Sequence, residues 1–354
     1  EVGRADELYR GLIQGQVHLT VHDERHLDDL QALSDHFGLR LPLHLEIDTG
    51  LCRGGCPIPE ARRIVRRIAQ HSRLQLAGMF THFASAEQDG IATARQNVTF
   101  ERFIDENKKF IPDECVLHAA NTAAMLRDAR YHRSMVRIGL AWAGWGPELV
   151  TGETLPDVER SLRPIVRWTS SITQIKHVAA GSSVGYRALW TAPRSSVLGI
   201  APVGYADGFP TTLACRDRVQ VPPCVGVSIE TPDGPVRGFA PVVGAISMDQ
   251  MTLDLTELVS DERCKVDIGA EVELIGADRD APNHLTTLAK HAGVFPHALL
   301  AGIHSRVRRV YHAPQPAVHI SSAQGQSHNA ERGSYRSQAA SKTHSLPALT
   351  TSPG

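Results

Sequence analysis

In the run "MVRIGLAWAG", Arg137 follows Met135 and Val136 and precedes apolar residues among which an unpaired guanidinium is expensive to bury. Two readings stay open from the residues alone: the side chain escapes to solvent at a strand end, or it stands as a cation beneath a ligand. In the second reading Gly139 and Leu140 offer backbone N–H groups to an anion such as phosphate. The word "HAANTAAM" adds His118 as a donor toward that arginine, and Thr122 as a hydroxyl at a helix start, where a plain first-turn residue is the simpler explanation.

"EIDTGLCRGG" sets an acidic strand end before a glycine turn and Arg53. Either Asp48 caps the turn and Arg53 is solvated, or Arg53 grips a carboxylate or a cofactor oxygen as a planar fork with Glu46 holding it in place. "THFASAE" supplies His82, by default a hydrogen-bonded structural group. Further along, "SVGYRALW", "VGYADG" and "GAISMDQM" each end an apolar run on polar residues, which turn chemistry explains when each is taken singly. The phenol of Tyr186 therefore either packs or exchanges protons. The six cysteines are scattered, and the C-x3-C of "CRGGC" lacks two further ligands, so neither a disulfide framework nor a metal site is expected.

The elements that must position these residues fall into two kinds. Up to about Gly146, short apolar runs alternate with helical patterns near residues 25–37, 58–70, 92–109 and 121–127, which reads as βα units around a parallel sheet. Five strands are legible, each ending in polar or ionisable residues: Asp23, Asp48 with Arg53, His82, His118 with Asn121, and Arg137. In an α/β barrel of the (β/α)8 type, that end carries the active site. After about Leu162 the period changes to two, predicting a mainly β second domain with one helix near 284–292. The expected division is 1–160 for the barrel part, 161–312 for the β domain and 313–354 for a disordered tail rich in Ser, Gln, Ala and Pro.

Over 354 residues, 37 Lys+Arg balance 38 Asp+Glu, which argues against electrostatic capture of nucleic acid or an anionic membrane. No apolar run reaches the roughly 18 residues of a membrane span, and the start carries no signal-peptide pattern. A cytoplasmic protein acting on a small partner is expected.

Taken together, the words "TVHD", "DTGLCRGG", "THFASAE", "HAANTAA", "VRIGLA", "VGYRALWTA", "PVGYADG" and "ISMDQM" resemble, in order, the fold-type III alanine racemases that depend on pyridoxal 5'-phosphate. The resemblance runs from the first residues to about Tyr311. It implies a (β/α)8 TIM-like barrel plus a C-terminal β domain, and a homodimer whose site is shared between subunits. It also implies interconversion of L-alanine and D-alanine by two bases, supplying D-alanine for peptidoglycan; a racemase of broader range and an inactive cofactor-binding chain are the alternatives. By the same resemblance Tyr186 falls on a catalytic tyrosine. Arg137 faces the pyridine nitrogen, with His118 bonded to it. Thr122, Gly139 and Leu140 fall on phosphate positions, and His82 supports the ring. Arg53, Met248 and Tyr205 fall on the substrate side.

The chain departs from that pattern at three places. Glu46 stands where many members carry a carbamylated lysine, and it supplies the negative charge unmodified. Ser305 stands where many carry a tyrosine that reaches the phosphate. The lysine that anchors the cofactor, in a "V-K-A-N-A-Y-G-H-G"-like word, is absent, and the chain starts at Glu1 rather than methionine. The expectation is an N-terminally truncated chain, inactive by itself, from a protein whose three further strands complete the eight.

Overall fold

The protein is described here from a computed structural model, which covers residues 11–146, 150–151, 162–214 and 222–312. The expected tail at 313–354 and the expected boundary at 160 lie outside the described residues.

Four parallel strands, β1 (Leu19–Val21), β2 (Leu41–Glu46), β3 (Leu74–Phe80) and β4 (Val116–His118), pair in chain order. Along β2, Leu41, Leu43 and Leu45 alternate with Pro42, His44 and Glu46, so the three leucines share one face, where they are fully buried. At about 1.5–3 kcal/mol for each such side chain, their burial anchors the sheet.

The connecting helices are α1 (Glu24–Phe37), α2 (Ile58–Gln70), α3 (Gly90–Asn107) and α4 (Thr122–Arg127). Their starts are chemically set. Asp23, Asp89 and Asn121 each accept first-turn N–H groups, and Pro57 and Pro59 open α2. α1 stops at Gly38, whose φ of 65° is cheap for glycine. α2 packs Ala61, Ile64, Val65 and Ile68 inward, one face of a helix.

The fifth expected strand is not a strand. Met135 makes a single parallel bridge to His118, and the chain then turns into a short 3-10 segment at Leu140–Ala143. The backbone still follows β4, since Ser134 and Arg137 donate their N–H groups to the carbonyls of Leu117 and Ala120 at 3.0 and 2.9 Å. Arg137 is thereby delivered beside the end of β4.

The second half is built on an antiparallel sheet. Its members are β5 (Trp168–Ser171), β6 (Gln174–Val178), β9 (Ser196–Ala201), β10 (Cys224–Thr231), β11 (Gly234–Val243), β12 (Met251–Asp254) and β13 (Glu271–Ile275). They lie side by side in the order β5-β13-β10-β11-β12-β9-β6. A separate ribbon, β7 (Ser183–Val184) with β8 (Trp190–Thr191), carries Tyr186 in its turn. Helices α5 (Leu285–Ala292) and α6 (Pro296–Gly302) bury Leu285, Leu288 and Leu299 in the core of this half.

Each half has its own core, but Trp145, which follows the 3-10 segment after Arg137, buries itself among Trp168, Phe209 and Leu285 of the second. Its indole N–H donates to Nε2 of His284 at 2.9 Å. The barrel part and the β domain are thus pinned together a few residues beyond Arg137. Among the described residues no helix is long and apolar enough to cross a membrane.

Candidate active site

At the C-terminal end of the parallel sheet, Arg137 is surrounded by acceptors. Nη1 donates to Nδ1 of His118 at 2.7 Å, while Nη2 serves the carbonyls of Thr81 and Ala119 at 3.0 and 3.2 Å and Nδ1 of His82 at 3.1 Å. The sequence reading made His118 the donor; a guanidinium has no lone pair to offer, so His118 accepts. Phe80 lies under both groups, stacked on His118 at 4.8 Å and 5.2 Å from the Arg137 carbon. Of the five guanidinium N–H groups, Nη2 has both engaged and Nη1 has one. Among the described residues, that leaves Nε–H and one Nη1–H for a ligand acceptor.

Both imidazoles are neutral beside this cation. Burial, then the charge of Arg137, then His44 hold His118 down at about 3. Burial, Arg137 and Arg53 hold His82 at about 4. Burial also pulls Arg137 below the ordinary arginine value, and the Glu46 carboxylate opposes that pull.

The word "DTGLCRGG" folds as a loop around Asp48, whose Oδ1 accepts the N–H groups of Gly50, Leu51 and Cys52 at 2.9, 3.0 and 3.2 Å. Burial works against the Asp48 carboxylate, yet those donors outweigh it and lower its pKa. Gln96 on α3 ties the loop to the end of β3: its amide N–H groups reach the Thr49 hydroxyl and the His82 carbonyl, each at 3.2 Å. Arg53 is exposed on this loop and close enough to His82 to act on it electrostatically.

Glu46 is buried beneath the loop, where a Cβ on Gly54 would stand 2.9 Å from Glu46 Oε2. Its close side-chain partner among the described residues is not Arg53, as one reading of the sequence had it, but His22, with 2.9 Å between Nδ1 and Oε2. The "TVHD" word, which carried no assigned role, supplies that histidine.

Thr122 opens α4, and its hydroxyl oxygen accepts the N–H groups of Gly139 and Ala141 at 3.2 and 3.4 Å. Two positions expected at a phosphate are therefore neighbours, and the Gly139 N–H, expected to serve an anion, is taken by Thr122 instead. With its oxygen accepting, the hydroxyl hydrogen is left to donate outward. Gly139 has nothing within 4 Å of where a Cβ would stand, so a ligand can approach its backbone. Leu140 starts the 3-10 turn, and its N–H has no partner inside that turn. Ser305 is exposed.

The three second-domain words converge through glycines. A Cβ on Gly204 would lie 2.3 Å from the carbonyl oxygen of Ser247, and one on Gly185 would lie 3.1 Å from the N of Ala245. The backbones of "VGYADG" and "ISMDQM" are joined by Tyr205 N–H to Ser247 O and Ala206 N–H to Met248 O, at 3.0 and 2.9 Å. Tyr186, Tyr205 and Met248 are 73, 47 and 57 % exposed, large side chains held out toward solvent. Behind Tyr186, Arg187 and Ala188 adopt φ of 62° and 48°, left-handed values that cost free energy in residues with a Cβ.

The described lysines, Lys108, Lys109, Lys176, Lys265 and Lys290, stand on the 3-10 extension of α3, on β6, in the segment before β13 and on α5. None of them ends a strand of the parallel sheet. His18, His44 and Gly78, which the sequence reading passed over, prove to extend the Arg137 cluster from buried His118 out to exposed His18.

The family profile described as alanine racemase, N-terminal domain, matches residues 3–147, and that described as alanine racemase, C-terminal domain, matches residues 165–311. An alanine racemase of Treponema pallidum is 35% identical over 309 residues, covering 85% of this chain and 76% of that protein. The solved alanine racemase of Streptomyces coelicolor superposes with a TM-score of 0.71 at 29% identity, over 86% of this chain and 74% of that one. An alanine racemase of Bartonella henselae, solved with covalently bound pyridoxal phosphate, shares the fold at 23% identity with a TM-score of 0.68, over 87% of this chain and 76% of that one.

Proposed function

The chain belongs to the alanine racemase family, whose fold and whose activity, the interconversion of L-alanine and D-alanine, it shares, and from that premise we propose that the Arg137 cluster is the seat of pyridoxal 5'-phosphate. The observation that carries this reading is the free donor pair on a guanidinium whose other N–H groups are already taken. The residues fit the cofactor at two of its ends: Arg137 meets a ring acceptor, and Thr122, Gly139 and Leu140 offer a hydroxyl, an open backbone and an N–H to a phosphate. The covalent anchor is not among the described lysines.

When bound, pyridoxal phosphate supplies the electron sink that makes the amino acid's Cα–H acidic. The protein does the rest. Arg137 keeps its proton and can only donate, so a pyridine nitrogen seated on it would accept a hydrogen bond rather than take up a proton. His118 and His82, held neutral, accept from Arg137 and fix its plane. Arg53 binds the substrate carboxylate as a fork, with the Met248 backbone N–H as a second donor. Tyr186 exchanges the Cα proton at its phenol oxygen on one face of the substrate, and Tyr205 narrows the approach.

The exposure of Tyr186, Tyr205 and Met248 supports a second reading at the level of assembly: these side chains complete the site of a partner subunit in a homodimer. Sedimentation of the full chain with and without pyridoxal phosphate tests it. A dimer strengthened by the cofactor agrees with a shared site, and a monomer at all concentrations opposes it.

A further inference from the structure

Behind Arg137 runs a file of three histidines. Nδ1 of His118 meets Arg137 at 2.7 Å, Nε2 of His118 meets Nδ1 of His44 at 3.0 Å, and Nε2 of His44 meets Nδ1 of His18 at 2.9 Å. We propose that His44 is a positioning residue of the site: by accepting the Nε2–H of His118, it stabilises, from the side opposite Arg137, the imidazole tautomer that leaves Nδ1 bare toward the guanidinium.

The direction of every bond in the file follows from one end. A guanidinium only donates, so Nδ1 of His118 carries no hydrogen. A neutral imidazole has one N–H, which must then be on Nε2. Nδ1 of His44 has to accept it, the His44 hydrogen sits on its own Nε2, and Nδ1 of His18 accepts that one in turn. The opposite tautomer of His118 would set N–H against N–H at Arg137 and would require His44 to move its own hydrogen to Nδ1, reversing its bond to His18 as well. Replacing His44 with an apolar side chain removes the acceptor, so the tautomer that serves Arg137 would leave a buried N–H unpaired.

The backbone is shaped for this ring. The pairing of β2 with β3 shifts register between Leu43 and His44, which sets His44 opposite Gly78. A Cβ on Gly78 would lie 2.4 Å from Nδ1 and Cε1 of the His44 ring, so β3 gives up a side chain where the imidazole lies. Phe80 stacks flat on the far ring, with 10° between its plane and that of His118. Burial, with His18 adding to it, lowers the pKa of His44, which keeps the middle ring neutral as the relay requires.

Only the consequence for racemisation rests on the proposed cofactor seat; the tautomer is a property of the protein's own rings. The test is long-range proton–nitrogen NMR of the histidine-labelled full chain at neutral pH. The expected result is a single Nε2–H tautomer at His118, loss of that single state in His44→Leu, and its recovery in His44→Gln, whose amide oxygen accepts the same N–H. An Nδ1–H tautomer at His118 in the unaltered chain overturns the inference without any variant, and an unchanged Nε2–H tautomer in a folded His44→Leu overturns it as well. Gly78→Ala, which displaces the ring while keeping it, is expected to act like His44→Leu, and an unaltered tautomer there is a further contradiction. Pyridoxal phosphate failing to bind the unaltered chain would count against the cofactor seat and leave this result untouched.

Discussion

Arg137 Nη1 and His118 Nδ1 stand 2.7 Å apart, and the bond between them runs from arginine to histidine. A side chain 19 positions away in sequence thus presents a bare nitrogen to a cation, in a place where that nitrogen would otherwise take up a proton in mildly acidic solution. The cluster has a cost on the acid side, and that cost is measurable.

His118 is held at about 3 and His82 at about 4, against 6.5 for an unperturbed histidine. Below pH 6.5 the unfolded chain binds protons that the folded chain refuses, so the unfolded state gains as pH falls. Stability is expected to be unaffected by these rings above about pH 6.5 and to fall from there toward about pH 4. Denaturant midpoints read across that window check it, and His118→Asn should flatten part of the slope. A midpoint that stays level between pH 6.5 and 4 contradicts the assignment.

Gly204 leaves no room for a methyl group, since a Cβ there would meet the Ser247 carbonyl at 2.3 Å and Met248 carbonyl atoms at 2.4 Å. Gly204→Ala is expected to destabilise the chain by about 1–3 kcal/mol, as overpacking does. Because the clash pushes on the Met248 loop, KM for alanine should also rise. Thermal unfolding and steady-state kinetics check both effects, and a variant with an unchanged unfolding midpoint would sink the close-approach argument.

Tyr186 is 73 % exposed, so removing its hydroxyl leaves the fold alone. A positioned general base contributes about 10²–10⁴-fold to rate. Tyr186→Phe in the active holoenzyme is therefore expected to slow both directions of racemisation by at least about tenfold with an unchanged melting temperature. Turnover in either direction within a factor of about two of the unaltered enzyme would remove Tyr186 from the reaction.

Much of the site was legible because its residues sit where backbone patterns change. Asp48, His82, His118 and Arg137 follow short apolar runs, and strand ends of a parallel sheet are where such side chains converge. The helices expected near 25–37, 92–109 and 121–127 were legible to within a few residues, but their caps at Asp23, Asp89 and Asn121 come from the structure, which sets Asn121 rather than Thr122 as the cap of the last.

What stayed hidden depends on partners far away in the chain. His44 sits in the middle of an apolar strand, and nothing around it reveals that a register shift brings it opposite Gly78. The preference of Glu46 for His22 over Arg53 is likewise settled by how the strands pack, not by spacing along the chain. The run at Met135 reads as a strand by composition, yet only one bridge forms before Gly139 turns the chain. Periodicity reports which residues want burial; it does not report how long a neighbouring strand stays in register.

The central claim is that Arg137 receives the cofactor, and equilibrium binding of pyridoxal phosphate to the full chain, followed by fluorescence, tests it most directly. Arg137→Gln keeps a hydrogen-bonding side chain but loses the charge and the fork. The account predicts saturable binding to the unaltered chain, weakened at least about tenfold in Arg137→Gln, or about 1.4 kcal/mol. Equal affinity in the two proteins would contradict it.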